Sequence, residues 1–416
     1  MKIILFIIDC WRADRLDYGL KRGNTPHITR LARKGVVFPM TVTGADSTDP
    51  SIASIMTSSY SPVHGLTRNA LQLNTDIPTL AHILKDNSYR TVAAVSVEHL
   101  SSYFGFGRGF KTYYNNSTFD AIYHRAIGAK IFGFPVSALL GFIRKRIPTL
   151  VSHWRNGAAT NRVILPWLTT HGNDDFFTWI HYFDLHSCHT VEEYNSKLAF
   201  VDTRIGEIVR LLEKLRLLQD TLIIMTGDHG ESFGEHGQYG HGNSTLFDQD
   251  IVVPLIFHSP ASLSHRVLNN QVRTIDIGPT ILDFCGLSIP GAWQGESLLP
   301  FIRGERAPEH LPALCYSSHF SPLSFAHSHT PSWEIKAKCL RANKWKFIRV
   351  KGEPDKLFNL EMDPLESKNE ASEEPEELRK IKALFFDLEG FGQVSRTEEE
   401  DDKVVIEMLK SLGYME

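Results

Sequence analysis

Asp228-His229-Gly230-Glu231 is followed by Gly234-Glu235-His236-Gly237 and Gly240-His241-Gly242, so three histidines and three acids fall within fourteen residues. These residue types bind metal ions and oxyanions. The stretch comes directly after the apolar run 221–226. A strand that ends in Asp-His brings an anionic oxygen and a neutral imidazole to one point, and the glycines allow a tight turn with room for a ligand. A solvated polar connection between strand and helix is the alternative reading. Loops of ordinary composition rarely concentrate such groups, so a metal or active site is the expectation.

A second constellation is Thr48-Asp49-Pro50-Ser51, continuing through Ile52 to Thr57. A hydroxyl stands in front of a Pro-initiated stretch with helical potential. At a helix N-terminus, unpaired backbone N–H groups and the positive end of the dipole stabilise an alkoxide and an incoming oxyanion. Metal coordination would lower the hydroxyl pKa further. By itself the pattern fits equally a simple N-cap at Thr48 or Ser51.

Elements must carry these groups to one place. Apolar runs predict strands at Ile3–Ile8, Thr91–Val95, Phe176–Tyr182, Thr221–Met225 and Val252–His258. Thr25-Pro26 reads as an N-cap and first helical residue, with Gly35 as the stop. In 191–218, Tyr194, Leu198, Val201, Ile205, Ile208, Leu212 and Leu215 repeat at four-three spacing and predict one long amphipathic helix. Alternating strands and helices predict an α/β fold, a mostly parallel sheet sandwiched by helices. Ligands then sit beyond the carboxyl ends of the strands, where Asp9, Asp184 and Asp228-His229 all fall. After Gly304 the pattern changes to short strands near 336–341, 344–350 and 356–360, then charged helices near 373–388 and 399–412. This predicts a catalytic domain over 1–304 and a small C-terminal α+β subdomain over 305–416.

The bulk numbers bound the partners. The chain has 416 residues, 42% of them hydrophobic and 22% charged, with a net charge of -4, so a nucleic acid is not expected as the main partner. Five cysteines without a Cys-x-x-Cys fit free thiols and a cytoplasmic location. The opening segment 1–8 reads as the first core strand, since Asp9-Cys10-Trp11-Arg12 follows at once without a small-residue cleavage site. Segment 127–148 is too short and Pro-interrupted to span a bilayer. It reads as a helical insertion over the core, with peripheral membrane contact or a substrate lid as alternatives.

The ordered set of motifs resembles the sulfatase-like branch of the alkaline phosphatase superfamily. Ile7-Ile8-Asp9-Cys10-Trp11-Arg12 is similar to its opening strand and metal aspartate. Thr48-x-Pro50-Ser51-x-Ala53-Ser54 is similar to its nucleophile motif, with His64-Gly65 following. His181-Tyr182-Phe183-Asp184-Leu185-His186, Gly227-Asp228-His229-Gly230-Glu231, Gly240-His241-Gly242 and Lys356–Pro364 complete the series.

The resemblance implies a divalent metal held by Asp9, Asp228 and His229, with Thr48 as both ligand and nucleophile. His186 and His241 would bind the anion or protonate the leaving oxygen. His181, His99 and Arg12 would lie on the substrate side, Arg12 either contacting the anion or bracing Asp9. His181 and Asp184 could also support the metal or a second one, and His64 and His236 could be structural. The departures from the family are equally informative. Thr48 replaces the Cys or Ser that is oxidised to formylglycine, Ile52 replaces an arginine, and Cys10 replaces an adjacent acid. The stretch Val95-Ser96-Val97-Glu98-His99 lacks the family's lysine. Together they imply a threonine-nucleophile hydrolase of phosphate monoesters, diesters or phosphonate esters working through phosphothreonine. A sulfuric ester hydrolase, a phosphoryl transferase and a catalytically dead ligand-binding member are the alternatives. An imidazole in the ligand set favours Mn²⁺ or Zn²⁺ over Ca²⁺. The expected partner is a small anionic ester.

Overall fold

The segment Lys2–Ile8 is apolar apart from its first residue and forms β1, the middle of a sheet buried on both faces. The structure, a computed structural model, describes residues 1–16, 24–74, 76–115, 130–131, 134–135, 154–186, 188–307, 309–318 and 335–390. The chain continues through α1 (Pro26–Ala32), β2 (Val36–Val42), α2 (Thr48–Thr57), α3 (Leu80–Asp86), β3 (Arg90–Ala94) and β4 (Thr112–Tyr114). Then come α4 (Gly157–His171), β5 (Phe176–Tyr182), α5 (Val191–Lys214), β6 (Thr221–Gly227), α6 (Asp248–Ile251) and β7 (Val252–His258). The short strands β8 (Arg266–Val267) and β9 (Val272–Arg273) precede α7 (Ile277–Phe284).

Among the described residues the main sheet runs β8-β2-β7-β6-β1-β5-β3-β4, with β9 also pairing β2. The three central strands β6, β1 and β5 are parallel and in register, so Ile8 lies opposite both Tyr182 and Gly227. Their carboxyl ends therefore open at one level. The expected parallel sheet holds for most pairs, but β7 runs antiparallel to β2 and β6. An apolar run has the same composition whichever way it points, so its direction is decided by how the connections close.

Each face of the sheet is covered. One packs Ile52, Ile55, Leu80 and Ile281 from α2, α3 and α7. The other packs Ile28, Ile164, Val201 and Ile205 from α1, α4 and α5. The predicted stripe of α5 is buried from Tyr194 to Leu212, while Leu215 lies past the helix and is partly buried. The Thr190 hydroxyl accepts the Glu193 N–H and starts this helix. Thr25 occupies the N-cap position of α1 without capping it. Asp202 of α5 does that instead, accepting the N–H groups of His27 (3.2 Å) and Ile28 (2.7 Å).

The C-terminal strands β10 (Ala313–Ser317), β11 (Ala337–Ala342), β12 (Trp345–Val350) and β13 (Lys356–Asn359) form a second, antiparallel sheet, followed by α8 (Pro375–Gly390). The expected insertion at 127–148 falls almost wholly outside the described residues, and the expected helix at 399–412 wholly so. No helix among the described residues is long and apolar enough to cross a membrane. All five cysteines are free.

A buried charge network joins the two sheets. Lys346 of β12 is fully buried, 2.9 Å from Asp248 Oδ1 and 2.7 Å from Glu366 Oε1, while Arg341 Nη2 is 3.0 Å from Asp248 Oδ2. Burial alone would raise the Asp248 pKa, but Lys346 and then Arg341 override it and hold the carboxyl well below its ordinary value. A carboxyl lowered by folding stabilises the fold above its unfolded pKa, and that contribution is lost as pH falls toward the folded one. Lys346→Met should leave Glu366 uncompensated and cost about 3–5 kcal/mol, the range for removing one partner of a buried pair. Thermal melts should show a midpoint several degrees lower, and an unchanged midpoint would refute the structural role.

Candidate active site

Asp9 stands just past β1, its N–H held by Tyr182 O at 2.9 Å, and Asp228-His229 stand just past β6. Strand order thus brings together residues 219 positions apart without any local signal. Thr48 opens α2 and is fully buried. Its Oγ1 lies 3.2 Å from Asp9 Oδ1 and 3.4 Å from His229 Nε2. Polar clips fix α2 against β6: Ser51 Oγ and Thr43 Oγ1 are each 2.5 Å from Asp228 O, and 2.6 Å from each other. The helix start is therefore tied to the metal-type aspartate. Gly230 permits this turn because a Cβ there would lie 1.9 Å from Gln249 O.

The donors suit a divalent cation. Asp228 Oδ1 accepts the N–H groups of Cys10 (3.1 Å) and His229 (2.8 Å), whereas buried Oδ2 has no partner and lies 3.8 Å from His229 Nε2. His229 Nδ1 is 2.9 Å from Gly230 O, so donating there leaves the Nε2 lone pair facing Asp9 and Thr48. Burial, and then the Asp9 charge, push Asp228 well above the ordinary carboxyl range. Burial opposes ionisation of Asp9 too, but His186 and then His229 pull its pKa far down. Burial and the neighbouring His241 lower His229 to about 4, which favours the neutral imidazole that metal ligation would require. A cation between the two aspartates would relieve the repulsion that raises Asp228.

Above this floor lies a cavity of about 470 Å³, lined among others by Asn69, His186, His189, Glu231, Tyr239 and His241. A short hairpin, Ser232–Phe233 with Tyr239–Gly240, returns the chain so that His241 faces the site. His186 stacks on Phe183 at 4.2 Å and lies 5.1 Å from the His241 ring. Both Glu231 carboxylate oxygens are 3.2 Å from His241 Nδ1. Burial would lower His241, but Glu231 overrides it and raises the imidazolium pKa to about 10.

Other expected residues are not brought into the cavity. The Arg12 guanidinium is taken up by Asp14 (2.9 and 3.0 Å), Glu235 (2.7 Å) and Glu231 O (2.8 Å). It ties the first strand end to the 228–242 loop, and none of these hydrogen bonds goes to Asp9. His99 is buried, and its Nδ1 contacts Asp49 Oδ1, so it clamps the first turn of α2. His181 is fully buried with both ring nitrogens unpartnered, behind the aspartates and within 4.8 Å of their donor oxygens. Burial lowers it to about 3. Asp184 accepts the Gly157 N–H (2.9 and 3.1 Å) and fixes the start of α4. His64 meets Ser54 Oγ at 3.0 Å, and His236 stacks on Phe247 at 3.7 Å.

Sequence reasoning passed over Arg68, Asn69 and a role for Glu231. Glu231 lies inside the densest motif and could have been assigned a role from it. Arg68 and Asn69 sit in a loop without periodicity, and nothing in their spacing points to the cavity.

Residues 2–287 match the sulfatase family, and residues 234–388 match the N-sulphoglucosamine sulphohydrolase C-terminal family. The choline-sulfatase of Rhizobium meliloti (strain 1021) is 29% identical over 234 residues, 53% of this chain and 42% of that protein. Arylsulfatase K of Mus musculus is 32% identical over 186 residues, 44% of this chain and 32% of that protein. The chain thus spans under half the length of these two curated relatives. Among solved structures, the phosphonate monoester hydrolase of Agrobacterium radiobacter superposes with a TM-score of 0.74 at 20% identity, over 95% of this chain and 100% of that one. At that identity the likeness speaks for the fold. With the family match covering more than half of its residues, the chain belongs to the sulfatase family.

Proposed function

We propose that this chain is a metal-dependent hydrolase of phosphate-type esters, with Thr48 as nucleophile. The observation that carries the reading is Thr48 Oγ1 at the start of α2, within 3.4 Å of both Asp9 and His229 beneath the 470 Å³ cavity. Asp9, Asp228, His229 and Thr48 would hold a divalent ion, Mn²⁺ or Zn²⁺ in preference to Ca²⁺ because one donor is imidazole. When bound, such an ion lowers the hydroxyl pKa and offsets the charge developing on phosphoryl oxygens.

The chain's own residues do the rest. Thr48 Oγ1 forms a bond to phosphorus as the bond to the leaving oxygen breaks, giving phosphothreonine. In the first turn of α2 the Asp49 N–H is taken by Asn69 Oδ1 and Pro50 has none, which leaves the Thr48 N–H and the positive end of the helix dipole to receive an equatorial oxygen. His241 or His186 gives the leaving oxygen its proton. Water then attacks phosphorus, passing a proton back to the same imidazole, and Thr48 is released. An alcohol in place of that water would make the reaction a transfer. Asn69, at the cavity wall, is placed to orient the anion. The substrate is a small anionic ester, and the five unpaired thiols support a cytoplasmic site of action.

The second reading is sulfate-ester hydrolysis, which the names of the curated relatives favour. Thr48 favours the first, because a secondary alcohol cannot be oxidised to the aldehyde that sulfate-ester members use. Nitrophenyl sulfate, phosphate, phosphodiester and phosphonate, each with Mn²⁺, Zn²⁺ or Ca²⁺, separate them. A phosphorus ester should give the highest kcat/KM, with Mn²⁺ or Zn²⁺ the best metal. Fastest turnover of the sulfate would refute the phosphoryl reading. Metal content measured on protein purified without chelator tests the dead-member alternative, which requires that no ion be retained.

A further inference from the structure

A second cavity, of about 380 Å³, is lined among others by Arg30, Lys34, Glu213, Arg216 and His258. It lies where α1, α5 and β7 all end. His258 closes β7 and pairs with Ile223 of β6, while Asp228 lies five residues further along the chain from Ile223. At about 3.3 Å per residue, the cavity is roughly 16 Å down the strand from the Thr48 centre. It shares no lining residue with the cavity above that centre.

The wall carries three cations and one acid. Glu213 Oε1 takes Arg30 Nη1 at 2.8 Å, and among the described residues Lys34 and Arg216 have no acidic partner. Cations at helix C-termini often serve only to offset the dipole. Two helix ends at roughly half a negative charge each, together with Glu213, still leave about one of the three positive charges uncompensated. Arg216 adds a second sign. It follows α5 at a φ of 59°, and the next N–H, of Leu217, closes on Leu212 O at 2.8 Å. This is the left-handed position after a helix where glycine is favoured, so a turn needed only to stop α5 would not call for arginine.

His258 gives an independent observation. It is 2% exposed, its Nδ1 donates to Leu31 O at 3.1 Å, and its buried Nε2 has no partner. An orphaned buried imidazole nitrogen is uncommon in a folded chain. Burial lowers the His258 pKa, and the charges of Lys34 and Arg30 push the same way against the Leu31 carbonyl. An anion in the cavity would relieve that pressure.

We infer that this cavity binds a small organic anion, with a phosphonate, phosphate or carboxylate head on a compact apolar body. Lys34 and Arg216 would hold the head by charge-assisted hydrogen bonds. A bare phosphate would fill little of the space, and Leu31, Leu218 and Pro260 supply apolar wall for the body.

Calorimetric titration of the intact chain with phenylphosphonate, benzoate and inorganic phosphate tests this. Phenylphosphonate also suits the Thr48 centre, so variants separate the two sites. Lys34→Glu and Arg216→Glu alter exposed side chains, and circular dichroism establishes that both variants are folded. Each should weaken one class of binding by about tenfold or more, the low end of what a hydrogen bond to a charged group is worth. Asp228→Asn should leave that class intact. The tighter of phenylphosphonate and benzoate identifies the preferred head group. No organic-anion binding in Asp228→Asn overturns the site, as does binding that both glutamate variants leave unchanged. Inorganic phosphate binding as tightly as either organic anion overturns the apolar body.

Discussion

Replacing Thr48 with alanine should lower kcat by roughly 10⁴-fold or more, the scale seen when a nucleophile is removed from a site that acts as a unit. The residue is fully buried at the first position of α2, and its hydroxyl contacts only Asp9 and His229 among the described groups. Loss of that hydroxyl removes one hydrogen bond worth about 1 kcal/mol, so the fold should survive. Both carboxylates and the imidazole remain and only a neutral hydroxyl donor is lost, so metal content measured by elemental analysis at saturating ion should stay near the wild-type value. Thr48→Ser should retain part of the activity, because the attacking oxygen is kept and only the methyl is lost. If Thr48→Ala turned over within tenfold of wild type, some other group would be the nucleophile and the proposed chemistry would fail.

Asp228→Asn should weaken metal binding by about 100-fold or more and lower activity accordingly, since a direct donor is worth at least as much as an outer partner. Asparagine can keep the Oδ1 contacts to Cys10 and His229 while placing a neutral amide where Oδ2 now stands unpartnered. The stability consequence has two signs. Burial and Asp9 raise the Asp228 pKa in the folded chain. A carboxyl raised by folding costs stability as pH climbs above its unfolded value near 3.8, because the folded state binds the extra proton. In chelator at neutral pH, Asp228→Asn should therefore melt at or above wild type. With metal at a hundred times its dissociation constant, wild type should gain about 2.7 kcal/mol that the variant does not. Melting curves with and without chelator read both signs. Equal metal affinity in the two proteins would remove Asp228 from the ligand set.

Much of the site's outline was legible before any fold was known. Asp9, Thr48, Asp228 and His229 converge as the motifs implied, because each lies at a strand end or helix start. The motif residues His186 and His241 also meet, although 55 positions of chain and a hairpin separate them. Arg12 and His99 diverge from expectation for one reason. Spacing reports where a side chain begins, while its far end goes to whichever partner burial leaves unsatisfied. Asp14 and Glu235 claim Arg12, and Asp49 claims His99.

Unbroken apolar runs that stop abruptly at Asp9 and Asp228, and must be buried on both faces, already dictate the strands and their polar ends. A stripe that only a helix can bury likewise dictates α5. Long-range packing set the antiparallel direction of β7, the capping of α1 by Asp202 in place of Thr25, and the places of Asn69 and Glu231 on the cavity wall. It alone also turned the two oxygens of Asp9 toward different donors. Periodicity is a local property set by repeated burial, whereas direction, side-chain aim and polar pairing depend on neighbours tens to hundreds of residues away.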